Sequence, residues 1–397
     1  MTDDYPTLTI EHDDFPELRE PVAKICENFP GEYWRKLEDQ PLGDRHPTEF
    51  VDALLESGFL AAAIPEEHGG VGLPLRASSV IVETIHACGG NASACVGQLF
   101  APIILTRHGS DTQKQLLLPK IASGELSFHA IAVAEAEAGS DATSTETSAR
   151  LDGDSYIVNG CKSWVGRAEH SDLMFLLART SPADEGGSPG SGLSAFIVDV
   201  NAAKQAGGLS MQPIGALIND NAAEVEFSNV KIPATSLLGE LGKGHDYVEE
   251  LADAECILYN ASAVGDIKFF LDRAVEYAKE RVVFGKSIAH YQGIQFPLSK
   301  AYAEGQAARL YGLKACALYD AGLPCRSEAR LAKHIGAEAA WAAADACFTT
   351  HGGFAFAREY NIERKWRDAR VLRLAPHSTN ILLSHVATQR LGLPSVS

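Results

Sequence analysis

The chain is short of positive charge. Its 34 Lys and Arg stand against 52 Asp and Glu, a net charge of −18 over 397 residues. Nucleic acid and anionic membrane surfaces need a basic face, so neither is expected as the main partner. No apolar run approaches the ~20 residues that span a bilayer, and no membrane insertion is expected. The start, MTDDYPTLTIEHDDF, has neither a basic n-region nor an apolar h-region, so nothing there resembles a signal peptide. The eight cysteines (Cys26, Cys88, Cys95, Cys161, Cys256, Cys316, Cys325 and Cys347) contain no CxxC pair. That spacing points to reduced thiols in a cytoplasmic protein and away from a disulfide framework or a metal centre. Familiar site motifs are missing too. No GxGxxG follows a strand pattern, and neither GxxxxGK before Ser or Thr, HExxH nor GxSxG occurs. Nicotinamide-Rossmann, P-loop, zinc-protease and hydrolase readings lose their support.

What is present is an ordered change of pattern. Apolar residues make up 46% and charged residues 22%, an ordinary globular balance, and the length suggests two or three domains. Residues 1–125 carry a helical pattern. Ser110-Asp111-Thr112-Gln113 has the form of a capping box ahead of Leu116, Leu117 and Leu118, and Gly69, Gly70 and Gly72 mark a break. Residues 126–235 read as short β-rich runs: SYIV before a turn at Asn159-Gly160, then LMFLLA, LSAFIVDV and AEVEFSNVKI. PADEGGSPGSG, 182–192, reads as an exposed loop. From 236 to 397 helices return. Ile267, Phe270, Leu271, Ala274 and Ala278 form one apolar face, and a long helix is expected from near Ser327 to Gly352-Gly353. Helices, then strands, then helices argue for a multi-domain α+β protein and against an alternating parallel sheet.

Several stretches then line up in register: IPEEHGGVGL (64–73), IAVAEAEAGSD (131–141), NGCKSWVGR (159–167), LLGELGKGH (237–245), ERVVFGK (280–286), HGG (351–353) and ERKWRDAR (363–370). In this order they resemble the acyl-CoA dehydrogenase family of flavoproteins across essentially the whole chain. The resemblance implies an N-terminal helical domain, a middle antiparallel β-domain and a C-terminal four-helix bundle, assembled as a homo-tetramer or dimer. FAD would lie between the β-domain and the last bundle.

By that resemblance, Val133, Ala134 and Ser140 would line the flavin pyrimidine and the pantetheine arm, and Trp164 would pack beside the isoalloxazine near Gly166. Arg281 and Gln292 would reach the pyrophosphate across a dimer interface, with Phe284 and Thr349 beside them, since a guanidinium fork suits a dianion. Gly352 and Gly353 would admit close backbone approach, and Ser378 and Asn380 would cap the adenosine side. Taken singly, each has a plainer reading: Trp164 as a core aromatic, Arg281 as an end-of-helix cation, Gly352-Gly353 as a helix stop, and Ser378 and Asn380 as caps.

The family's chemistry takes a proton from the α-carbon of a thioester while a hydride leaves the β-carbon. A desolvated carboxylate suits that task. In many members the base is the glutamate of a Tyr-Glu-Gly triplet after the arginine-rich helix, but here that triplet is Ala375-Pro376-His377. Isovaleryl-type and long-chain members carry the base on an earlier helix. Asp253-Ala254-Glu255-Cys256 occupies that place, which makes Glu255 the candidate base and His377 its rival. Asp253, Cys256, Pro376, His377 and Ser140 would border the substrate.

Four departures are expected to matter. Ala134-Glu135-Ala136 replaces Thr-Glu-Pro, Gly166 replaces a threonine, Cys256 replaces an arginine, and Pro376 has no N–H to donate to the thioester oxygen. The expected activity is FAD-dependent α,β-dehydrogenation of an acyl-CoA, or an acyl-carrier thioester, with electrons passed to an electron-transfer flavoprotein. A flavin oxidase or monooxygenase on the same scaffold, and a non-catalytic thioester-binding protein, remain alternatives.

Overall fold

The computed structural model describes residues 15–183, 188, 190–219 and 221–394. The signal-peptide reading, except for Phe15, and the loop positions 184–187 and 189 fall outside the described residues. Along the chain the helices are α1 Pro16–Glu27, α2 Gly31–Glu38, α3 Thr48–Glu56, α4 Leu75–Ala87, α5 Val96–His108, α6 Asp111–Ser123, α7 Val200–Ala206, α8 Gly244–Glu280, α9 Gln292–Asp320, α10 Arg326–His351, α11 Ile362–Val371 and α12 Thr379–Gln389. The strands are β1 Ala130–Ala132, β2 Ser148–Asp152, β3 Ser155–Gly166, β4 Leu173–Arg179, β5 Leu193–Asp199, β6 Leu209–Pro213, β7 Ala222–Pro233, β8 Leu237–Leu238, β9 Val282–Val283 and β10 Lys286–Ser287. They fall into two compact units. One is Arg35–Leu73 with Ser93–Ala252, and the other is the described part of Met1–Trp34 with Pro74–Ala92 and Asp253–Ser397.

The first unit is built on an eight-stranded sheet in the order β6-β7-β3-β2-β4-β5-β8, with β1 added beside β4. Neighbours pair antiparallel along β6-β7-β3-β2 and β4-β5-β8, while β1 and the end of β2 run parallel to β4. Along β4 and β5 nearly every side chain is buried, as in strands covered on both faces, whereas β7 alternates buried and exposed. Met174, Leu176, Phe196, Val198, Val225 and Phe227 share its core.

Asn159-Gly160 is not the expected turn. β3 runs straight through it with a register shift against β7. Gly160 holds φ 145, and a Cβ there would lie 2.6 Å from the Thr147 Cα, so close backbone approach is what the glycine serves. The expected capping box at α6 is present: Ser110 Oγ accepts from Gln113 N–H at 3.2 Å and Gln113 Oε1 accepts from Ser110 N–H at 2.9 Å. The 182–192 loop is exposed at Pro182, Ala183 and Ser188, but Gly190 and Gly192 are buried. There Thr180 N–H closes the loop's neck on Gly192 O at 2.8 Å.

The second unit is helical. α1 and α4 pack with α9 to α12 and the part of α8 from Asp253 onward. The stripe read from the sequence is real: Ile267, Phe270, Ala274 and Ala278 are buried, and the first three share a cluster with a small-residue face of α10 that includes Ala337, Ala340, Ala343, Ala344 and Cys347. Small side chains let the helices approach closely. α10 ends at Gly352, φ 59, a left-handed stop that glycine accepts at little cost. Among the described residues no helix is long and apolar enough to cross a membrane.

Candidate active site

The helical unit gathers Glu255, His377 and Lys333. Glu255 projects from α8 with its side chain 17% exposed, and its carboxyl Oε2 stands 3.7 Å from His377 Nε2. Among the described residues the carboxyl makes no hydrogen bond. Burial pushes its pKa up to about 8, and the Lys333 ammonium pulls the other way. Lys333 lies on α10, 1% exposed. Its Nζ donates to Leu372 O at 2.6 Å and to His377 O at 2.5 Å, and burial lowers its own pKa to about 8. The two groups treated as rivals in the sequence are therefore neighbours.

The other expected substrate contacts sort differently. Asp253, one turn before Cys256, is engaged by Arg326, whose Nε lies 3.4 Å from each carboxylate oxygen. Cys256 is fully buried, and desolvation pushes its thiol up to about 12, so it packs the helix behind Glu255 as a neutral side chain. Pro376 is exposed and follows a cis peptide bond. Ser378 caps α12, its Oγ accepting from Ile381 N–H at 3.4 Å. The plainer reading of that serine holds, and Asn380 follows it, exposed, in the first turn of α12.

Arg281, Phe284, Gln292 and Thr349 are all exposed. The Arg281 guanidinium rests 5.8 Å from the Phe354 ring centroid. Phe284 is 93% exposed because β9 and β10 form a hairpin whose tip, Phe284-Gly285, is left-handed at both residues, φ 53 and φ 81. Gly353 has no atom within 4 Å of where a Cβ would stand, so the chain's own packing does not require glycine there.

In the sheet unit, Trp164 is not a core aromatic: it is 63% exposed. A second register shift, between Lys162 and Val165, puts it in left-handed backbone at φ 57 and turns the indole out of the sheet. Gly166, at the end of β3, has open space around its Cα. Val133 and Ala134 are clamped to the same strand. Lys162 Nζ donates to Val133 O and to Glu135 Oε1, both at 2.8 Å, and Ser163 N–H donates to Ala134 O at 2.9 Å. Burial alone would raise Glu135, but Lys162 and the N–H groups of Thr147 and Glu146 hold it below the usual carboxylate range. Ser140 is exposed, just before Asp141, whose carboxylate caps the turn through Thr143 N–H at 3.0 Å.

Lys333 and the Glu135–Lys162 clamp were not singled out from the sequence. Lys333 had a signal: it falls in the i, i+3, i+4 stripe with Ala329, Gly336, Ala337 and Ala340, where a cation is out of place. Chemically, the Glu255 cluster can hold a proton near neutrality. The exposed Trp164, with the clamped backbone near it, can line one face of a flat ring.

Comparison with known proteins agrees along the chain. Family sequence profiles described as "Acyl-CoA dehydrogenase", N-terminal, middle and C-terminal domains, match residues 12–125, 130–230 and 242–391. The acyl-CoA dehydrogenase FadE12 of Mycobacterium tuberculosis is 32% identical, with 99% of each chain aligned. The 3-(aryl)acrylate reductase of Clostridium sporogenes is 31% identical over 95% of this chain and 99% of its own. Among solved structures, an acyl-CoA dehydrogenase from Geobacillus kaustophilus superimposes with a TM-score of 0.87 at 28% identity, covering 96% and 99% of the two chains. A glutaryl-coenzyme A dehydrogenase in complex with glutaryl-CoA gives 0.87 at 26%, covering 97% and 98%.

Proposed function

Since this chain belongs to the acyl-CoA dehydrogenase family, FAD-dependent oxidoreductases acting on acyl-CoA, we propose that it dehydrogenates an acyl thioester at the Cα–Cβ bond, with Glu255 taking the α-proton. The observation that carries this reading is a carboxyl that is nearly buried, makes no hydrogen bond among the described residues and has a pKa pushed up to about 8. A base whose pKa lies near the working pH combines proton affinity with a usable ionised fraction. Cys256, next to it and buried, stays neutral and adds no charge beside the carboxyl, and Asp253, engaged by Arg326, adds its charge as part of an ion pair.

FAD, when bound, supplies the acceptor for the hydride leaving the β-carbon. The residues present fit such a group. The outward Trp164 offers an aromatic face beside Gly166, and the carbonyl and amide edges of Val133 and Ala134 are fixed by Lys162 and Ser163, with Ser140 exposed at the next turn. For the phosphates, Arg281, Gln292 and Thr349 are exposed, Gly352 and Gly353 leave room for close approach, and Ser378 and Asn380 open α12, whose N-terminal N–H groups favour an anion. Phe284, with Val282, Phe296 and Tyr302, leaves apolar area in solvent that a second copy of the chain would cover, which supports a homo-oligomer. Pro376 has no N–H, so the thioester oxygen must draw on other donors. Electrons would pass on to an electron-transfer flavoprotein.

One relative suggests the reverse direction, since the Clostridium sporogenes protein is named a reductase. A carboxylic acid that stays protonated at neutral pH can equally return a proton to the α-carbon. Anaerobic mixing of the yellow protein with a panel of acyl-CoAs tests the forward reading by loss of flavin colour. Slow reoxidation in air supports a dehydrogenase over an oxidase, and no bleaching by any thioester supports a binding protein. Glu255→Gln should retain FAD and lose turnover by at least about 10³-fold; full activity in that variant sinks the assignment.

A further inference from the structure

Lys333 sits in a stripe of α10 that otherwise packs small apolar side chains against the bundle. An ammonium buried there is costly unless its hydrogens are satisfied. It spends two of them on Leu372 O and His377 O, on either side of Ala375-Pro376. The chain between those carbonyls leads from α11 towards α12, and at its end the His377 ring approaches Glu255 at 3.7 Å. Tethering both carbonyls to one nitrogen on a rigid helix fixes that ring's distance from the carboxyl.

Resting on the reading of Glu255 as the base, we propose that Lys333 is a positioning residue for it: its ammonium pins the carbonyls of Leu372 and His377, holds the His377 ring against Glu255, and favours the ionised carboxylate. Among the described residues, the charged and titratable groups that act on Glu255, Cys256 and Lys333 include Asp253 on α8, Arg330 on α10 and Glu338 on the same helix, with His377 beside Glu255 on the segment before α12. Of these, Lys333 is the cation that bears on Glu255 itself. Removing its charge removes the pull toward ionisation, so the carboxyl should hold its proton to higher pH. A rise of one unit above about 8 leaves about tenfold less carboxylate at pH 7.

The test uses the full-length protein with its cofactor and the variants Lys333→Gln and Lys333→Met. An infrared pH titration follows the protonated-carboxyl band, assigned to Glu255 by its disappearance in Glu255→Gln. The expected result is a midpoint near 8 in the native protein and at least about one unit higher in both variants, with kcat at pH 7 reduced about tenfold, recovering in alkaline buffer, and KM little changed. A folded Lys333→Gln with the native midpoint overturns the proposal. A merely structural lysine would lower the unfolding temperature and leave the band where it is. Lys333→Gln keeps a donor for one carbonyl, so it decides the matter if Lys333→Met does not fold. The band is read without turnover, so an active Glu255→Gln ends the base assignment separately from the coupling between Lys333 and the carboxyl.

Discussion

Asp266 and Glu255 lie on the same helix, about three turns apart and so on nearly the same face, and each is met by a lysine and a histidine. Asp266 is in direct contact with both. Lys365 Nζ stands 2.5 Å and His86 Nδ1 2.9 Å from its Oδ1. His86 Nε2 accepts from Ala92 N–H at 3.2 Å, which assigns the ring proton to Nδ1, pointed at the carboxylate. Burial pushes Asp266 up, but the Lys365 charge and the His86 contact override it and hold the group below its ordinary range. Around Glu255 a carboxyl, a lysine and a histidine are again gathered but drawn apart. The ring is 3.7 Å away, the ammonium is spent on carbonyls, and desolvation wins. Contact turns one buried carboxylate into an anchor for α4, α8 and α11. Its absence leaves the other able to exchange a proton.

The comparison can be broken most severely at Asp266. Asp266→Ala leaves Lys365 buried without its counter-ion, and a loss of about 3–5 kcal/mol is expected in chemical denaturation; a loss under about 1 would mean that the network is not an anchor. A smaller effect should appear as a pH dependence. The folded-state pKa of Glu255 is raised from 4.5 to about 8, so the native state keeps a proton that the unfolded chain releases. Relative to Glu255→Gln, the native protein should therefore lose stability as pH rises between those values and level off above them, by about 5 kcal/mol at most. Asp266 has the opposite sign, since its depressed pKa contributes stability that is lost as pH falls. Parallel denaturation curves for native protein and Glu255→Gln at all pH values would contradict the raised pKa. The smallest effect is expected at His377. Its ring is 28% exposed and beyond hydrogen-bond range, so His377→Gln should move the apparent pKa of kcat/KM by less than about one unit. A larger shift would make the ring a direct partner of the base.

What could be read in the sequence was what short spacing determines. The Ser110 box, the Ile267 to Ala278 stripe and the stop at Gly352 depend on residues within a few turns of one another, and all three are as expected. Asn159-Gly160 misled because a turn dipeptide and a tight strand crossing demand the same glycine, and only Thr147, across the sheet, decides between them. Glu255 was placed by family resemblance; its solvation and its neighbours were not legible, because Lys333 and His377 reach it from elements more than seventy residues away in sequence. The Lys162 clamp on Val133 is hidden for the same reason.

The bulge that turns Trp164 outward also has an optical consequence. Trp34 is 5% exposed, and Trp341 and Trp366, both half-buried, pack tilted with ring centroids 4.9 Å apart within the helical unit, so Trp164 is the indole most open to water. Its fluorescence should be the red-shifted, iodide-quenchable part of the protein's emission, and whatever covers that face will shield it. The protein thus carries its own reporter near the end of β3, one that needs neither a dye nor an assay of turnover.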